Sequence, residues 1–276
     1  MVVGIVAEYN PFHNGHKIQI DYAKTKLMAS QVIVAMSGSF TQRGEIACFD
    51  KYVRAEAALK CGADLVFEIP TIFATSSARE FASAGVQLLY STGVVDTLLF
   101  GAECDDLKLF KKSAKTLVEL ENNGKLDEII NSKVAAGSSY ASARAMALES
   151  YIPAEILSSP NNILGLEYCR YIYANNINME IAIIKRTANE YNSTELTGEI
   201  SSASAIRESI NTTGEIPAVP YEANNIYCLN TAIKANDISQ VLHYKLLQDK
   251  EYEKYLDCNT DLADRIRNNL DKLVSF

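Results

Sequence analysis

Six cysteines are scattered through this chain without one C-x-x-C pair, and only three histidines accompany them. Neither a zinc ribbon nor a thioredoxin-like redox pair can be assembled from such spacing. Cys48, Cys61, Cys104, Cys169, Cys228 and Cys258 are therefore expected to be reduced, buried thiols, a common state of unpaired cysteine. Long apolar runs are also missing. The opening stretch V-V-G-I-V-A is too short for a membrane span and lacks the flanks of a secretory signal, so a cytoplasmic protein without a membrane partner is expected. There is no internal repeat, no low-complexity tract and no excess of positive charge. A formal net charge of -8 opposes a polyanion unless basic residues gather on one face; Lys24, Lys26, Arg43, Lys51 and Arg54 are the candidates for such a patch. What is present is ordinary: 276 residues, 48% hydrophobic and 22% charged, enough for one large domain with or without a small appendage.

Short apolar segments alternate with helical patterns along the first hundred residues. Val2–Ala7, 31–36, 64–69 and 94–100 read as strands, and 14–28 and 50–61 carry helical spacing. Buried strands alternating with helices predict an α/β fold, a Rossmann-like parallel sheet covered on both faces. Between 105 and 150 the character changes. Leu107, Phe110, Leu117 and Leu120 recur as on amphipathic helices, with Gly124 and Gly137 as punctuation, which predicts a helical insertion. A strand at 179–184 and a capped helix over 201–210 then resume the sheet. Beyond Pro217 and Pro220 the pattern is wholly helical.

The strongest chemical signal is A-E-Y-N-P-F-H-N-G-H, where His13 and His16 flank Asn14-Gly15 as a first strand turns into a first helix. In a parallel sheet the ligand crevice lies at the carboxyl ends of the strands, and the next helix offers free N–H groups and its positive dipole end. Gly15 would let the backbone approach a phosphate oxygen. His13 and His16 would donate hydrogen bonds to an α-phosphate as its charge spreads in the transition state. Lys17, next in the chain, is placed with them as a catalytic candidate. A lone histidine in such a place would more often cap a helix or pack in a core; two at this spacing, in this context, point to phosphate chemistry.

A second element, I-S-S-A-S-A-I-R, sets Ser201, Ser202 and Ser204 at a helix start with Arg207 one turn on. Taken alone it reads as a serine N-cap. Paired with the histidine turn, it reads as the holder of the other end of one triphosphate. The division expected from these patterns is an ATP-binding domain over 1–215, with its helical insertion at about 105–150, and a helical C-terminal segment over 216–276.

The I-S-S-x-x-I-R element is similar to one that follows the last core strand in adenylyltransferases of the HxGH nucleotidyltransferase superfamily. S-G-S-F-T-Q-R-G-E (37–45), F-G-A-E (100–103) and S-P-N-N-I-L-G-L-E-Y (159–168), taken with N-P-F-H-N-G-H, resemble the bacterial tRNA(Met) cytidine acetate ligase family over the chain to about residue 210. That resemblance implies an ATP-dependent ligase that activates acetate as acetyl-adenylate and passes the acetyl group to N4 of the wobble cytidine of elongator tRNA(Met). It implies ATP contacts at Ala7, Glu8, Tyr9, Asn10, Pro11 and Phe12, then at His13, Asn14, Gly15, His16 and Gln19. Further contacts would fall on Gly101, on Asn161 or Asn162, and on Lys185 and Arg186. Gly101 would leave room for adenine or ribose, an asparagine could read a polar edge, and the Lys-Arg pair would neutralise phosphate.

Two departures accompany the likeness. Where the family carries Gly-Tyr-His-Asp after the Lys-Arg pair, this chain reads Asn189-Glu190-Tyr191-Asn192-Ser193. The family also continues past this length through a helical region with basic motifs, which tRNA binding is expected to need.

An acetate carboxylate is already ionised near pH 7, so its attack on the α-phosphate needs alignment and charge neutralisation but no general base. Mg2+ is expected to bridge the leaving phosphates, without a dedicated carboxylate cluster in the chain. The alternatives are a small-molecule adenylyltransferase and an ATP-binding protein that has lost turnover. A class I aminoacyl-tRNA synthetase is disfavoured, since no K-M-S-K-S-like lysine loop is present.

Overall fold

Runs of Val, Ile and Leu without polar alternation must be covered on both faces, and the chain does this with one parallel sheet. In the computed structural model, which describes residues 1–186 and 201–275, the strands are β1 (Val2–Ala7), β2 (Gln31–Ser37), β3 (Leu65–Ile69), β4 (Thr97–Ala102) and β5 (Glu180–Lys185). Their order is β3-β2-β1-β4-β5, all parallel. The substituted stretch 189–193 lies outside the described residues. Side chains alternate between two cores, as a period of two demands. Val32, Val34 and Met36 enter one, with Val3 and Ile5, under α1 (Asn14–Thr25) and α2 (Lys51–Lys60); Ile33 and Ala35 enter the other, under the short α3 (Thr71–Ala74) and α4 (Ala78–Ser91).

Between β4 and β5 run α5 (Leu107–Asn122), α6 (Lys125–Ala135), α7 (Tyr140–Glu149), α8 (Ala154–Leu157) and α9 (Pro160–Ala174). The helical region therefore extends past 150, because Ser159 caps α9 through the Asn162 amide and Pro160 opens the helix where no N–H is needed. Helix α9 lies against β4 at Gly165, where a Cβ would strike the Phe100 ring and meet Phe110 Cε1 at 2.9 Å. Buried Glu167 then ties α9 to Arg144 of α7 (2.8 Å) and to Arg170 (2.6 Å), whose guanidinium also reaches Ser83 of α4 (3.1 Å) and Glu121 of α5 (3.4 Å).

After β5 come α10 (Ala203–Thr212), α11 (Tyr221–Tyr227), α12 (Ser239–Gln248) and α13 (Thr260–Asn269). Ile206, Ile210, Ala223 and Tyr227 belong to the same core as β1 and α1, and Tyr227 stacks on Phe49 with ring centroids 4.4 Å apart. A boundary at residue 215 would cut through this packing. The proline pair that suggested it, Pro217 and Pro220, lies in the connection that brings α11 back onto α2. Helices α12 and α13 bury little, and Val241, Tyr244 and Leu247 stay exposed. Of the cysteines, Cys48, Cys61, Cys104 and Cys169 are buried thiols as expected, whereas Cys228, at the end of α11, is exposed and Cys258, ahead of α13, partly so. Among the described residues no helix is long and apolar enough to cross a membrane.

The sheet opens where a ligand is expected. β1 pairs with β2 along six residues but with β4 at Val3 and Gly4 alone, while β4 stays with β5 from Thr97 to Ala102. Beyond Gly4 the two central strands part, at the point where the strand order reverses direction. The Leu99 carbonyl accepts a hydrogen bond from the Gln19 side-chain amide of α1 (3.1 Å), so this backbone group stays satisfied in the opening.

Closing the gap between α9 and β4 should be costly. Gly165→Ala is expected to lower stability by about 1–3 kcal/mol through overpacking against Phe100 and Phe110, measured as a shift in the urea midpoint at unchanged slope. An unaltered midpoint would mean that α9 can move away from the sheet freely.

Candidate active site

The turn that leaves β1 is held from four directions. Tyr9 adopts a left-handed backbone, φ 49°, and the Asn10–Pro11 peptide is cis; φ > 0 is unfavourable for a bulky side chain and persists where its surroundings fix it. Tyr9 is packed edge-on to Phe12, with centroids 4.8 Å apart, and against His16 at 4.7 Å. The Asn10 side-chain oxygen accepts from the Cys48 amide (2.7 Å), its carbonyl from Arg207 Nη1 (2.8 Å), and the Phe12 amide donates to Tyr227 Oη (2.9 Å). The fourth support is Arg54, fully buried. Its guanidinium donates to the carbonyls of Phe49 (3.0 Å), Glu8 (2.6 Å), Ser37 (3.1 Å) and Gly38. Arg54 is therefore no part of a basic surface patch, and two other candidates are neutralised, Lys24 by Asp64 (3.1 Å) and Lys51 by Glu68 (2.6 Å).

His13 is the N-cap of α1 and is itself buried. Its Nδ1 accepts from the Gly15 amide (3.0 Å), while His16 Nδ1 accepts from the His13 amide (3.2 Å). This is a capping box in which imidazoles take both side-chain roles. The two rings stack at 3.7 Å. With each Nδ1 serving as acceptor, the proton of each neutral ring is assigned to Nε2. Burial, then the Arg186 and Arg207 charges, push the His13 pKa down to about 3. Burial, then His13 and Arg186, hold His16 well below the usual range. The pair is thus two neutral N–H donors.

Two expectations change here. The first amides of α1 are not free for phosphate: Asn14 N–H goes to the Ala218 carbonyl (3.0 Å), Gly15 N–H to His13 Nδ1, and those of His16 (2.9 Å) and Lys17 (3.1 Å) to the His13 carbonyl. Gly15 has a nearer reason to be glycine, since a Cβ would meet the His13 ring at 2.9 Å. It makes room for the capping imidazole.

The cleft between β1 and β4 is lined by Ala7, Glu8, Tyr9, Asn10, His13, His16 and Gln19 from the first unit, by Gly101, Asn161 and Arg186 across the gap, and by Ser202 and Arg207 of α10. Ser202 caps α10 through the Ala205 amide (3.0 Å). The amides of Ala203 and Ser204 ahead of it have no partner among the described residues, so this is the helix whose N-terminus is open to an anion. The Arg186 side chain crosses Gly101, where a Cβ would lie 3.4 Å from its Cγ, and its Nε stands 3.6 Å from Glu103.

Several candidates fall outside the cleft. Lys17 turns along α1 to Asp21 (2.5 Å), so its catalytic assignment is not supported by its position. Lys185 pairs with Asp105 (3.2 Å) on the opposite face of β5 from Arg186. Asn162 is consumed by the fold, accepting from the Glu103 (2.9 Å) and Cys104 (3.1 Å) amides and donating to the Glu155 carbonyl (2.8 Å). Asn161, one residue earlier, reaches Glu103 (2.7 Å) at the cleft wall. Ser201 is buried with its hydroxyl unpartnered among the described residues. Pro11, Phe12 and Asn14 shape the turn from beneath. In return, Thr41, Gln42 and Glu45, and Arg43, which the sequence suggested only for a basic patch, line the cleft from the loop after β2. The Gln42 amide donates to the Glu8 carboxylate (2.7 Å); burial pushes the Glu8 pKa up, opposed by that bond and by Arg207, Arg54 and Arg43. The signal was available, because S-G-S-F-T-Q-R-G-E begins at the carboxyl end of a strand. No group of three or more His, Cys, Asp or Glu able to hold a metal occurs among the described residues.

A family model described as HIGH Nucleotidyl Transferase matches residues 1–276. A tRNA(Met) cytidine acetate ligase of Thermosipho africanus is 40% identical over 214 residues, covering 76% of this chain and 50% of that protein. The protein of the same name from Clostridium kluyveri is 35% identical over 298 residues, covering 100% of this chain and 72% of its own length. Thermotoga maritima TmcAL, solved bound with alpha-thio ATP, superposes with a TM-score of 0.87 at 29% identity, covering 99% of this chain and 68% of that one. The chain thus spans half of the first of these relatives and about seven-tenths of the others.

The buried imidazoles have a consequence for acid stability. Between pH 6.5 and about 3 the unfolded chain binds a proton on residue 13 that the folded chain refuses, so stability is fully present above pH 6.5 and falls as pH drops through that window. His13→Asn keeps a side-chain acceptor for the cap but does not titrate. Urea denaturation at pH 7 and pH 5 should show a smaller acid loss in the variant than in the parent; equal losses would contradict a buried, neutral His13.

Proposed function

We propose that this chain, which belongs to the HIGH Nucleotidyl Transferase family and within it to the tRNA(Met) cytidine acetate ligases, activates acetate with ATP as acetyl-adenylate and supplies the acetyl group for N4 of the wobble cytidine of elongator tRNA(Met). The observation that carries the reading is the stacked pair of neutral imidazoles, each with Nδ1 engaged by a backbone N–H, at the opening between β1 and β4. It supports adenylate chemistry for a definite reason. When a carboxylate attacks the α-phosphate and pyrophosphate departs, negative charge grows on the non-bridging oxygens, and fixed N–H donors stabilise it without reorganising.

The other charges divide the labour. Arg207, the open amides of α10 and the Ser202 hydroxyl take the β- and γ-phosphates, and Arg186 approaches from above Gly101. Glu8, Asn161 and Gln19 lie along the nucleotide and fix its pose. No general base is needed for the first step, since acetate is ionised at neutral pH. Mg2+ would accompany the triphosphate and neutralise charge on the departing pyrophosphate; among the described residues no acidic or histidine cluster forms a cage for it. Of the candidate basic patch, Arg54 is buried and Lys24 and Lys51 are paired with carboxylates, so transfer to tRNA by a chain of net charge -8 would draw on other basic groups.

The test is acetate-dependent exchange of pyrophosphate into ATP. The parent should catalyse it, and His16→Ala should lower the rate about a hundredfold or more, the usual cost of one transition-state donor, while circular dichroism reports a folded chain. Exchange that ignores acetate but follows a phosphate-bearing acceptor would make the chain a small-molecule adenylyltransferase instead.

A further inference from the structure

The cleft has two unlike ends. His13, His16, Ser202, Arg186 and Arg207 line it as one group; Val6, Phe81, Phe100, Leu164 and Tyr168 line it as another, all five belonging to or packed on the core beneath α4 and α9. The helices that back the second group are held close to the sheet. Helix α9 is drawn onto β4 at Gly165, and α4 comes equally near β1 at Gly85, where a Cβ would meet Val6 Cγ1 at 2.6 Å. Neither helix can move inward, and neither is spaced off the sheet by a side chain. On α9, Asn161, Leu164 and Tyr168 follow at i, i+3 and i+7, so they share one stripe that runs from the polar end of the cleft into the apolar one. Phe81, Phe100 and Tyr168 are anchored in the core, 2–4% exposed, with the Phe100 and Tyr168 rings 5.6 Å apart. Val6 and Leu164 are only partly buried, and they are the surfaces this end offers to a ligand.

A carboxylate that attacks a phosphate beside the imidazoles must point its charged end at them and its alkyl group away. Resting on the acetate reading above, we propose that the apolar end holds that alkyl group, and that Leu164, backed by Val6, sets the length of carboxylic acid accepted at two carbons. A pocket of this kind excludes by size. One methylene too many forces apart walls that Gly165 and Gly85 have brought to closest approach, and discrimination of about 10–200-fold per methylene is typical of such sites.

The experiment compares kcat/KM for acetate, propionate and butyrate in ATP–pyrophosphate exchange by the full chain, its Leu164→Ala variant and, should that variant fold poorly, Val6→Ala. The parent should prefer acetate to butyrate by about tenfold or more, and truncating Leu164 should raise the butyrate-to-acetate ratio by about tenfold or more. The ratio within one preparation does not depend on the fraction folded. Acetate exchange with a ratio unmoved in both variants, or a parent that uses butyrate as well as acetate, overturns the assignment of the apolar end and leaves the acetate reading standing. A parent that exchanges with no carboxylate overturns both.

Discussion

Two hydrogen bonds to imidazole nitrogens set the character of this site: Gly15 N–H to His13 Nδ1 and His13 N–H to His16 Nδ1. An N-cap is ordinarily a side-chain oxygen, whose protonation the cap does not set. An imidazole that caps through one nitrogen commits its tautomer, so the opposite nitrogen must carry hydrogen. Burial then removes the protonated alternative. The local requirement of a helix start, to satisfy its orphan amides, thereby fixes the protonation state of the two groups best placed to meet a phosphate. The Gly15 bond, together with those of Asn14 to the Ala218 carbonyl and of His16 and Lys17 to the His13 carbonyl, closes the α1 amides to ligand and leaves α10 as the cleft helix with open amides.

The surroundings of the pair can be understood as what such a commitment requires. The rings must stay dry and stacked, so the turn before them is pinned to the neighbouring loops by Arg54, to the β2 side by Asn10, and to the C-terminal segment by Tyr227 and Ala218. A fully buried guanidinium is costly unless its donors are satisfied, and Arg54 meets that condition with carbonyls alone. Carbonyls satisfy the donors without cancelling the charge, which leaves a cation beneath the floor of a cleft meant for anions. The parting of β1 from β4 exposes the rings to the cleft, and Gln19 keeps the separated Leu99 carbonyl satisfied.

Much of this was legible in the sequence, and the pattern of what was not is instructive. The five strands follow from apolar runs ended by turn residues, and the histidine turn from the context in which its glycine and histidines sit. Lys185 and Arg186 were grouped as a pair, yet a strand sends successive side chains to opposite faces, which separates the one that pairs with Asp105 from the one that crosses Gly101. Asn161 could have been chosen over Asn162 in the same way, from its helical spacing with Leu164 and Tyr168. Arg54 could not have been found so. Its burial depends on carbonyls from the turn after β1, from the end of β2 and from both ends of the β2–α2 connection converging on it, and nothing in a single helix records that. Nor does local sequence reveal that α11 returns to the first core, because Tyr227 meets Phe12 across more than two hundred residues.

The protonation state of the two rings can be observed directly. In a chain labelled with 15N-histidine, the Nδ1 and Nε2 shifts of His13 and His16 report tautomer and charge separately. Both rings should remain neutral, protonated at Nε2 and unprotonated at Nδ1, from pH 8 down to pH 5, and ATP should shift the two Nε2–H resonances. Rings that titrate near pH 6.5, or that carry their proton on Nδ1, would contradict that assignment.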